Sequence, residues 1–378
     1  MLKRCFRTAA AFVAAVLFTL PCAAAPSVSA KSAILMDADT GAVLFAHNAD
    51  ERSLIASTTK IMTALVALEH CAPEDEFTVP PEATGIEGSS MYLKAGETLT
   101  VRALLYGLML QSGNDAAVAL ALACSGSVAE FVALMNLKAQ KLHLTNTHFE
   151  NPNGLDSPQH YSTARDLALL TRCALKNETF AQIVATKSVR VGDRCLTNHN
   201  KLLCTLDGAL GVKTGYTRAA GRVLVSAAER EGRRLIAVTI RDGNDWEDHR
   251  ALYDFGFSAF QARRVVERGA CVAQLPLLDG TAARLRAAED VEYPAREGEA
   301  ARVVPLFPKL AVSAGETGTF AAQGAVYLGE RKIATIRLLW DGLEVNDGGT
   351  LTENHLGARA DVPSASRGAD LAGARVGQ

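Results

Sequence analysis

The stretch Ser57-Thr58-Thr59-Lys60-Ile61-Met62-Thr63-Ala64-Leu65-Val66-Ala67-Leu68 decides how the rest of the chain is interpreted. Its apolar residues recur at helical spacing, which predicts a helix with one buried face and Ser57 at the N-terminal end. Residues three apart share a helix face, so the Lys60 amine comes within hydrogen-bond reach of the Ser57 hydroxyl. The pair joins a weak nucleophile to a base, and backbone N–H groups at the helix start can stabilise an oxyanion.

The Ser-x-x-Lys spacing is not specific by itself. It also fits a serine that caps a helix and is followed by a surface lysine. The assignment therefore depends on what accompanies the pair elsewhere in the chain.

Length and composition predict a globular protein of about two to three domains. The chain has 378 residues, of which 48% are hydrophobic, and this is enough apolar content for full cores. Its formal net charge of -2 gives no electrostatic argument for a nucleic-acid partner.

The first residues are typical of a secretory signal peptide. Lys3, Arg4 and Arg7 precede an uncharged apolar run over residues 9–20, which is followed by small residues around Ala24. The run is too short to span a membrane. We therefore expect residues 1–25 to direct export to the cell wall or periplasm, with cleavage after Ala24, Ala25 or Ala30 left open.

Six cysteines lie beyond this segment, and export permits disulfides among them. Cys195 and Cys204 can face each other across a hairpin, and most of the others are predicted to be buried free thiols. Cys-x-x-Cys is absent, and the eight histidines show no metal-ligand spacing, so we predict no metal and no cofactor.

Hydrophobic periodicity predicts an α+β domain over residues 30–260. Two short apolar runs at 32–36 and 42–46, joined by an Asp/Gly turn, indicate a β-hairpin. Amphipathic helices are predicted at 101–111, 116–124, 128–142 and 163–174, and strands at 208–215, 221–228 and 234–241. The order predicts an antiparallel sheet with helices inserted between the first strand pair and the last three strands.

The remainder of the chain changes character. Short alternating runs predict a small all-β domain over residues 265–345. Residues 346–378 lose their apolar content, which predicts a disordered tail.

Two further motifs accompany the Ser57 stretch. Ser112-Gly113-Asn114 and Lys213-Thr214-Gly215 follow Ser57-Thr58-Thr59-Lys60 in that order. This ordered set is the signature of penicillin-binding proteins and class A β-lactamases.

Over residues 30–260 the chain resembles serine-type D-alanyl-D-alanine carboxypeptidases, the low-molecular-weight penicillin-binding proteins. Residues 37–41, 153–155, 161–164 and 211–217 also resemble that family, as does the β-rich segment after residue 265. The resemblance implies a β-lactamase/transpeptidase-like domain followed by a small all-β domain. It also implies peptidoglycan stem peptides ending in D-Ala-D-Ala as substrates, and β-lactam antibiotics as ligands.

The resemblance implies a role for each motif residue. Ser57 would be the nucleophile, Lys60 the general base, and Ser112 the relay that passes a proton to the leaving D-alanine. Burial and the nearby cation Lys213 would lower the pKa of Lys60 and keep part of it neutral. The substrate-binding residues would be Asn114, Lys213, Thr214, Gly215 and Tyr216, with the Ser57 and Tyr216 N–H groups forming the oxyanion hole.

Two departures from the family pattern stand out. These carboxypeptidases have an arginine that helps to hold the terminal carboxylate, for which this sequence offers Arg250 or Arg241. Many relatives end in an amphipathic membrane-anchoring helix, and residues 346–378 lack the apolar stripe for one, which leaves membrane anchoring open.

Alternative functions share part of the pattern. A class A β-lactamase needs a Glu-x-x-Leu-Asn loop, and Glu150-Asn151-Pro152-Asn153 lies in that region without the pattern. A transpeptidase would have the same site, and a catalytically silent cell-wall-binding protein could retain the cleft. An α/β-hydrolase is excluded because Gly-x-Ser-x-Gly is absent.

Overall fold

The structure is a computed structural model that describes residues 25–277, 281–306 and 315–344. The predicted signal peptide, apart from its last residue, and the predicted tail lie outside the described residues.

Within residues 25–260 the structure contains nine strands and eight α-helices, together with short 3₁₀ turns at Ala56–Thr59 and Pro81–Ala83. The strands are β1 (Ser32–Asp37), β2 (Val43–His47), β3 (Glu76–Thr78), β4 (Thr98–Thr100), β5 (Ser188–Val191), β6 (Arg194–Thr197), β7 (Ala209–Thr217), β8 (Gly221–Arg230) and β9 (Arg233–Ile240). The helices are α1 (Lys60–His70), α2 (Val101–Leu110), α3 (Asn114–Ser125), α4 (Val128–Lys141), α5 (Ala164–Ala174), α6 (Glu178–Ala185), α7 (Leu202–Thr205) and α8 (Asp245–Ala259).

A five-stranded antiparallel sheet forms the centre, in the order β2-β1-β9-β8-β7. The β1–β2 hairpin therefore pairs with the last three strands, and α1 to α7 come between them in the chain. This confirms the predicted α+β arrangement with an inserted helical region. Sequence reasoning did not predict α6, α7 and α8.

The sheet is covered on both faces. Along β1, Ile34 and Met36 pack in the larger core with the inserted helices, whereas Leu35 packs in a second core with α8 residues such as Tyr253. All six residues of β1 are buried as a result.

Helix α1 is buried on all sides over most of its length. Residues 60–67 are all buried, because α2 to α6 surround the helix. The prediction of a single buried face was therefore wrong: α1 is a central core helix.

A disulfide joins the far ends of α1 and α3. Cys71 directly follows α1 and Cys124 lies in the last turn of α3, with Cα atoms 5.9 Å apart. The prediction of mainly buried free thiols was wrong, because these helices run side by side and bring their ends together. Cys195 and Cys204 do not pair and are exposed, as is Cys271.

The residues after 260 form only strands within the described ranges. These are β10 (Gln261–Val266), β11 (Cys271–Pro276), β12 (Ala282–Ala287), β13 (Val291–Ala295), β14 (Ala301–Leu306), β15 (Phe320–Leu328) and β16 (Arg331–Glu344). They make a β10–β13 ribbon and a five-stranded sheet in the order β11-β12-β16-β15-β14. The all-β prediction for this region is confirmed.

None of the described helices is both long and apolar enough to cross a bilayer alone, although the bent pair α3 and α4 passes by length and composition.

Candidate active site

Ser57 lies in a turn of 3₁₀ helix, Ala56–Thr59, that leads directly into α1. The Thr59 hydroxyl donates to the Ala56 carbonyl, and His160 Nε2 lies 2.7 Å from the same hydroxyl. The Glu150 N–H donates to His160 Nδ1, so Nε2 carries the proton and donates to Thr59. Burial lowers the pKa of His160 to about 4 and keeps this imidazole neutral. The side chains thus fix the turn that presents Ser57.

Two glycines pack against the peptide group that joins Ala56 to Ser57. A Cβ at Gly154 would lie 2.0 Å from the Ala56 carbonyl oxygen, and one at Gly215 would lie 3.1 Å from the Ser57 nitrogen. Gly154 also has a φ of +89°, in the region that favours glycine. No side chain fits at position 154 unless the backbone before Ser57 moves.

Lys60 is fully buried, with 0% exposure, and its amine has three oxygen neighbours. Its Nζ lies 2.9 Å from Ser57 Oγ, 2.7 Å from Asn114 Oδ1 and 2.5 Å from the Asn153 carbonyl oxygen. Asn114 Nδ2 donates to the Glu87 carbonyl, which orients its amide with Oδ1 towards Lys60. The predicted contact between Lys60 and Ser57 is therefore confirmed, and both polar atoms of Asn114 are already partnered.

Two buried lysines set the electrostatics of the site. Burial, followed by the positive charge of Lys213, lowers the pKa of Lys60 well below its ordinary value, and Asp115 acts in the opposite direction. Burial alone lowers the pKa of Lys213 to about 7. Lys213 lies on β7, where its Nζ donates to the Thr214 carbonyl. Burial therefore favours the neutral form of both amines, and the pKa of Lys213 falls near neutral pH.

A cavity of about 460 Å³ opens above these groups. The predicted site residues that line it are Ser57, Ser112, Thr214, Gly215 and Tyr216. Lys60, Asn114 and Lys213 are all buried residues. Ser112 has a φ of +60° at the α2–α3 junction, an unusual backbone conformation for a serine. The three sequence motifs thus meet around one cavity.

Sequence reasoning missed six residues that line the same cavity: Ser89, His199, Arg222, Val223, Asp245 and Trp246. Arg222 donates through Nε and Nη2 to both carboxylate oxygens of Asp245, at 3.0 and 2.5 Å, and its guanidinium lies 5.6 Å from the centre of the Trp246 ring. Arg222 stands opposite Tyr216 in the β7–β8 register. Pairing the two predicted strands in this register would have placed Arg222 beside Tyr216 from the sequence alone.

The expectation of Arg250 or Arg241 in the cleft was wrong. Arg250 pairs with Glu247 along α8, and Arg241 lines a second, smaller cavity and donates to the Ala219 carbonyl. Neither is among the residues that line the main cavity, whereas Arg222 is. The antiparallel pairing of β7 with β8 brings Arg222 to the cavity, and α8, which was not predicted, supplies its Asp245 partner.

Asp115, next to Asn114, fastens the segment that carries Ser89. Its buried carboxylate accepts hydrogen bonds from Ser90 Oγ and from the N–H groups of Met91 and Leu93. The Asn114 N–H also donates to the Ser89 carbonyl. One wall of the cavity is thus tied to the start of α3.

The chain is similar in sequence and in structure to several known proteins. Residues 21–244 match peptidase family S11, described as D-alanyl-D-alanine carboxypeptidase. The D-alanyl-D-alanine carboxypeptidase DacF of Bacillus subtilis is 37% identical over 264 residues, covering 66% of this chain and 68% of the relative. Penicillin-binding protein 5 from Haemophilus influenzae is similar in structure, with a TM-score of 0.71 and 30% identity over 85% of this chain and 99% of that chain. The carboxypeptidase DacD from Francisella tularensis also has a TM-score of 0.71, at 26% identity over 84% and 94% of the two chains.

Proposed function

Because the chain belongs to the D-alanyl-D-alanine carboxypeptidase family of serine peptidases, we propose that it removes the terminal D-alanine from peptidoglycan stem peptides through an acyl-enzyme on Ser57. Its action is extracytoplasmic, since its substrate is the cell-wall polymer, and it binds β-lactam antibiotics at the same serine. Residues 1–25 act as signal peptide, 30–260 as catalytic domain and 265–345 as second domain in this proposal.

The observation that carries the mechanism is the set of hydrogen-bond partners around Lys60. A neutral amine has two N–H donors and one lone pair. Asn114 Oδ1 and the Asn153 carbonyl are acceptors only, so they take the two donors. The lone pair is then left for the Ser57 hydroxyl proton at 2.9 Å. Neutral Lys60 is thereby suited to act as general base.

Acylation begins when Ser57 Oγ attacks the carbonyl carbon of the penultimate D-alanine and its proton passes to Lys60 Nζ. The oxyanion accepts hydrogen bonds from the N–H groups of Ser57 and Tyr216. Lys60 then returns the proton, relayed by Ser112, to the nitrogen of the leaving D-alanine as the C–N bond breaks. Water next attacks the ester carbonyl while Lys60 takes its proton. As the bond between the acyl carbon and Ser57 Oγ breaks, Lys60 passes that proton to Oγ, which regenerates Ser57 and releases the shortened stem peptide as a carboxylic acid.

Lys213, Thr214 and Arg222 hold the carboxylate of the terminal D-alanine. Lys213 and Arg222 supply positive charge, and Thr214 supplies a hydroxyl donor from the cavity wall. Asp245 orients Arg222 by accepting two of its N–H groups. Asn114 acts chiefly by positioning Lys60, since its amide is engaged with Lys60 and Glu87.

The β-lactamase alternative lacks a suitable second base. The Glu150 carboxylate accepts hydrogen bonds from Ser157 and from the Gln159 N–H within its own loop. These bonds lower the pKa of Glu150, and it is not among the residues that line the cavity. Activation of the deacylating water therefore falls to Lys60.

The intact mass of the protein after incubation with a penicillin tests this proposal, alongside a Ser57→Ala variant. We expect a stoichiometric adduct on the wild type that the variant lacks, together with D-alanine release from a pentapeptide. Adding an amine acceptor separates hydrolysis from transpeptidation. Rapid penicillin turnover without an adduct would instead indicate a β-lactamase, and neither adduct nor turnover a silent binding protein.

A further inference from the structure

Tyr92 is an exposed aromatic residue in the wall segment of the cavity. Its side chain is 80% exposed, the highest value among the exposed large hydrophobic residues of the described chain, followed by Tyr216 at 68%. It lies three residues beyond Ser89, which lines the cavity. Exposure alone carries no meaning, because single apolar side chains on a surface are common.

The backbone of Tyr92 makes this residue unusual. Its φ is +61°, in the left-handed region that a bulky side chain avoids because Cβ crowds the following carbonyl oxygen. Such conformations persist where the surroundings enforce them, and they concentrate at ligand-binding sites. Because the ring is exposed, no burial of apolar surface offsets this backbone strain.

The surroundings of Tyr92 enforce this conformation from both sides. Met91 and Leu93 are buried, so the chain turns Tyr92 outwards between two anchors. The Tyr92 N–H donates to Ser90 Oγ, and Arg194 Nη2 donates to the Tyr92 carbonyl. Arg194 is itself held by both carboxylate oxygens of Glu97. The ring is therefore presented on a rigid support.

We propose that Tyr92 is a specificity-determining residue that packs against the substrate upstream of the scissile bond. The inference rests on the proposed function. The leaving D-alanine ends at the carboxylate site, so whatever extends beyond the cavity belongs to the acyl side: the upstream stem residues and the attached sugar. Both offer saturated C–H surface, which an aromatic face with a polar tip suits.

The distances allow this contact. Tyr92 lies within about 10 Å of Ser89 along the chain, and the four stem residues upstream of the scissile bond span about 13 Å when extended. A preorganised aromatic side chain also loses little conformational entropy on binding.

The test compares a short and a long substrate in the purified full chain. The short one is an N-acylated tripeptide ending in D-Ala-D-Ala, and the long one is a disaccharide pentapeptide. For Tyr92→Ala we expect kcat/KM on the long substrate to fall about tenfold through KM, which corresponds to the contact energy of a packed aromatic ring, with the short substrate unchanged. Phe320→Ala, which removes an exposed ring from β15, is the matched control and leaves both values unchanged.

Tyr92→Gly separates binding from folding, because glycine adopts a positive φ without strain. Its melting temperature should not fall, while the loss on the long substrate persists. An equal loss on both substrates, or no loss on the long one, would overturn the inference. Wild-type protein that hydrolyses neither substrate would instead refute the proposed function.

Discussion

Gly154→Ala is the substitution that most directly tests how the nucleophile is positioned. The new Cβ would lie 2.0 Å from the Ala56 carbonyl oxygen and 3.0 Å from the Ser57 nitrogen. Relief requires a shift of about 1 Å in the peptide that carries the proposed oxyanion donor, which can cost about 10²-fold in rate. Forcing alanine into the left-handed region costs about 1–2 kcal/mol. Overpacking against a backbone carbonyl adds about 1–3 kcal/mol.

Gly126→Ala is the matched control. Gly126 also has a φ of +77°, at the end of α3, but a Cβ there would meet nothing within 4 Å. This variant should lose about 1 kcal/mol in the free energy of unfolding and keep its wild-type kcat. The difference between the two variants isolates the contact with Ala56 and Ser57.

The assays are urea unfolding, the rate of penicillin acylation and kcat/KM for D-alanine release. We expect Gly154→Ala to lose about 2–5 kcal/mol of stability in total. Its acylation rate should fall about 10²-fold under conditions where the protein is folded. If Gly154→Ala and Gly126→Ala behaved alike in both stability and acylation, the argument that Gly154 positions the oxyanion donor would fail.

Three further predictions concern charge, covalent linkage and the cavity wall. Burial lowers the pKa of Lys213 to about 7, and only its charged form binds the substrate carboxylate, so kcat/KM should decline as the pH rises through that value. Lys213→Arg should abolish this decline, because arginine stays charged. A pH profile of kcat/KM that is the same in the variant and the wild type would contradict a carboxylate-binding role for Lys213. Replacing Cys71 and Cys124 by alanine should lower the free energy of unfolding in urea by about 4 kcal/mol, because the disulfide closes a loop with a sequence separation of 53; an unchanged value would contradict this. Asp115→Asn should lower the free energy of unfolding by about 1–3 kcal/mol and should also lower the rate of penicillin acylation. Asp166→Asn, at the buried start of another helix, should lower the free energy of unfolding but not the acylation rate.

Local sequence patterns predicted those parts of the site that depend on short-range geometry. Ser57 and Lys60 are three residues apart in one helical element, so their contact followed from helix geometry alone. The hairpin of β1 and β2 was likewise predictable from two short apolar runs and the Asp/Gly turn between them, and the last three strands from similar local patterns. Each of these features is determined within a few residues.

Features that depend on distant pairings were not predictable. Asn153 meets Lys60 through a backbone carbonyl, and any residue type has one. Arg222 reaches the cavity only through the β7–β8 register. Its partner Asp245 begins α8, and the acidic residues in the first turn of that helix interrupt the pattern of apolar residues from which a helix is predicted. Cys71 and Cys124 lie at the ends of helices whose packing was unknown.

The pairing of the first strand with the last strand of the central sheet also constrains how the protein is made. β1 acquires β9 as its neighbour, with Ser32 opposite Ile240, only after roughly 200 further residues have been added. At about 5–20 residues per second, a ribosome needs about 10–40 s to do so. Throughout that time one edge of β1 lacks its partner strand. Lys213, on β7, is likewise added long after Ser57, so the enzyme is inactive until most of the central sheet has been synthesised.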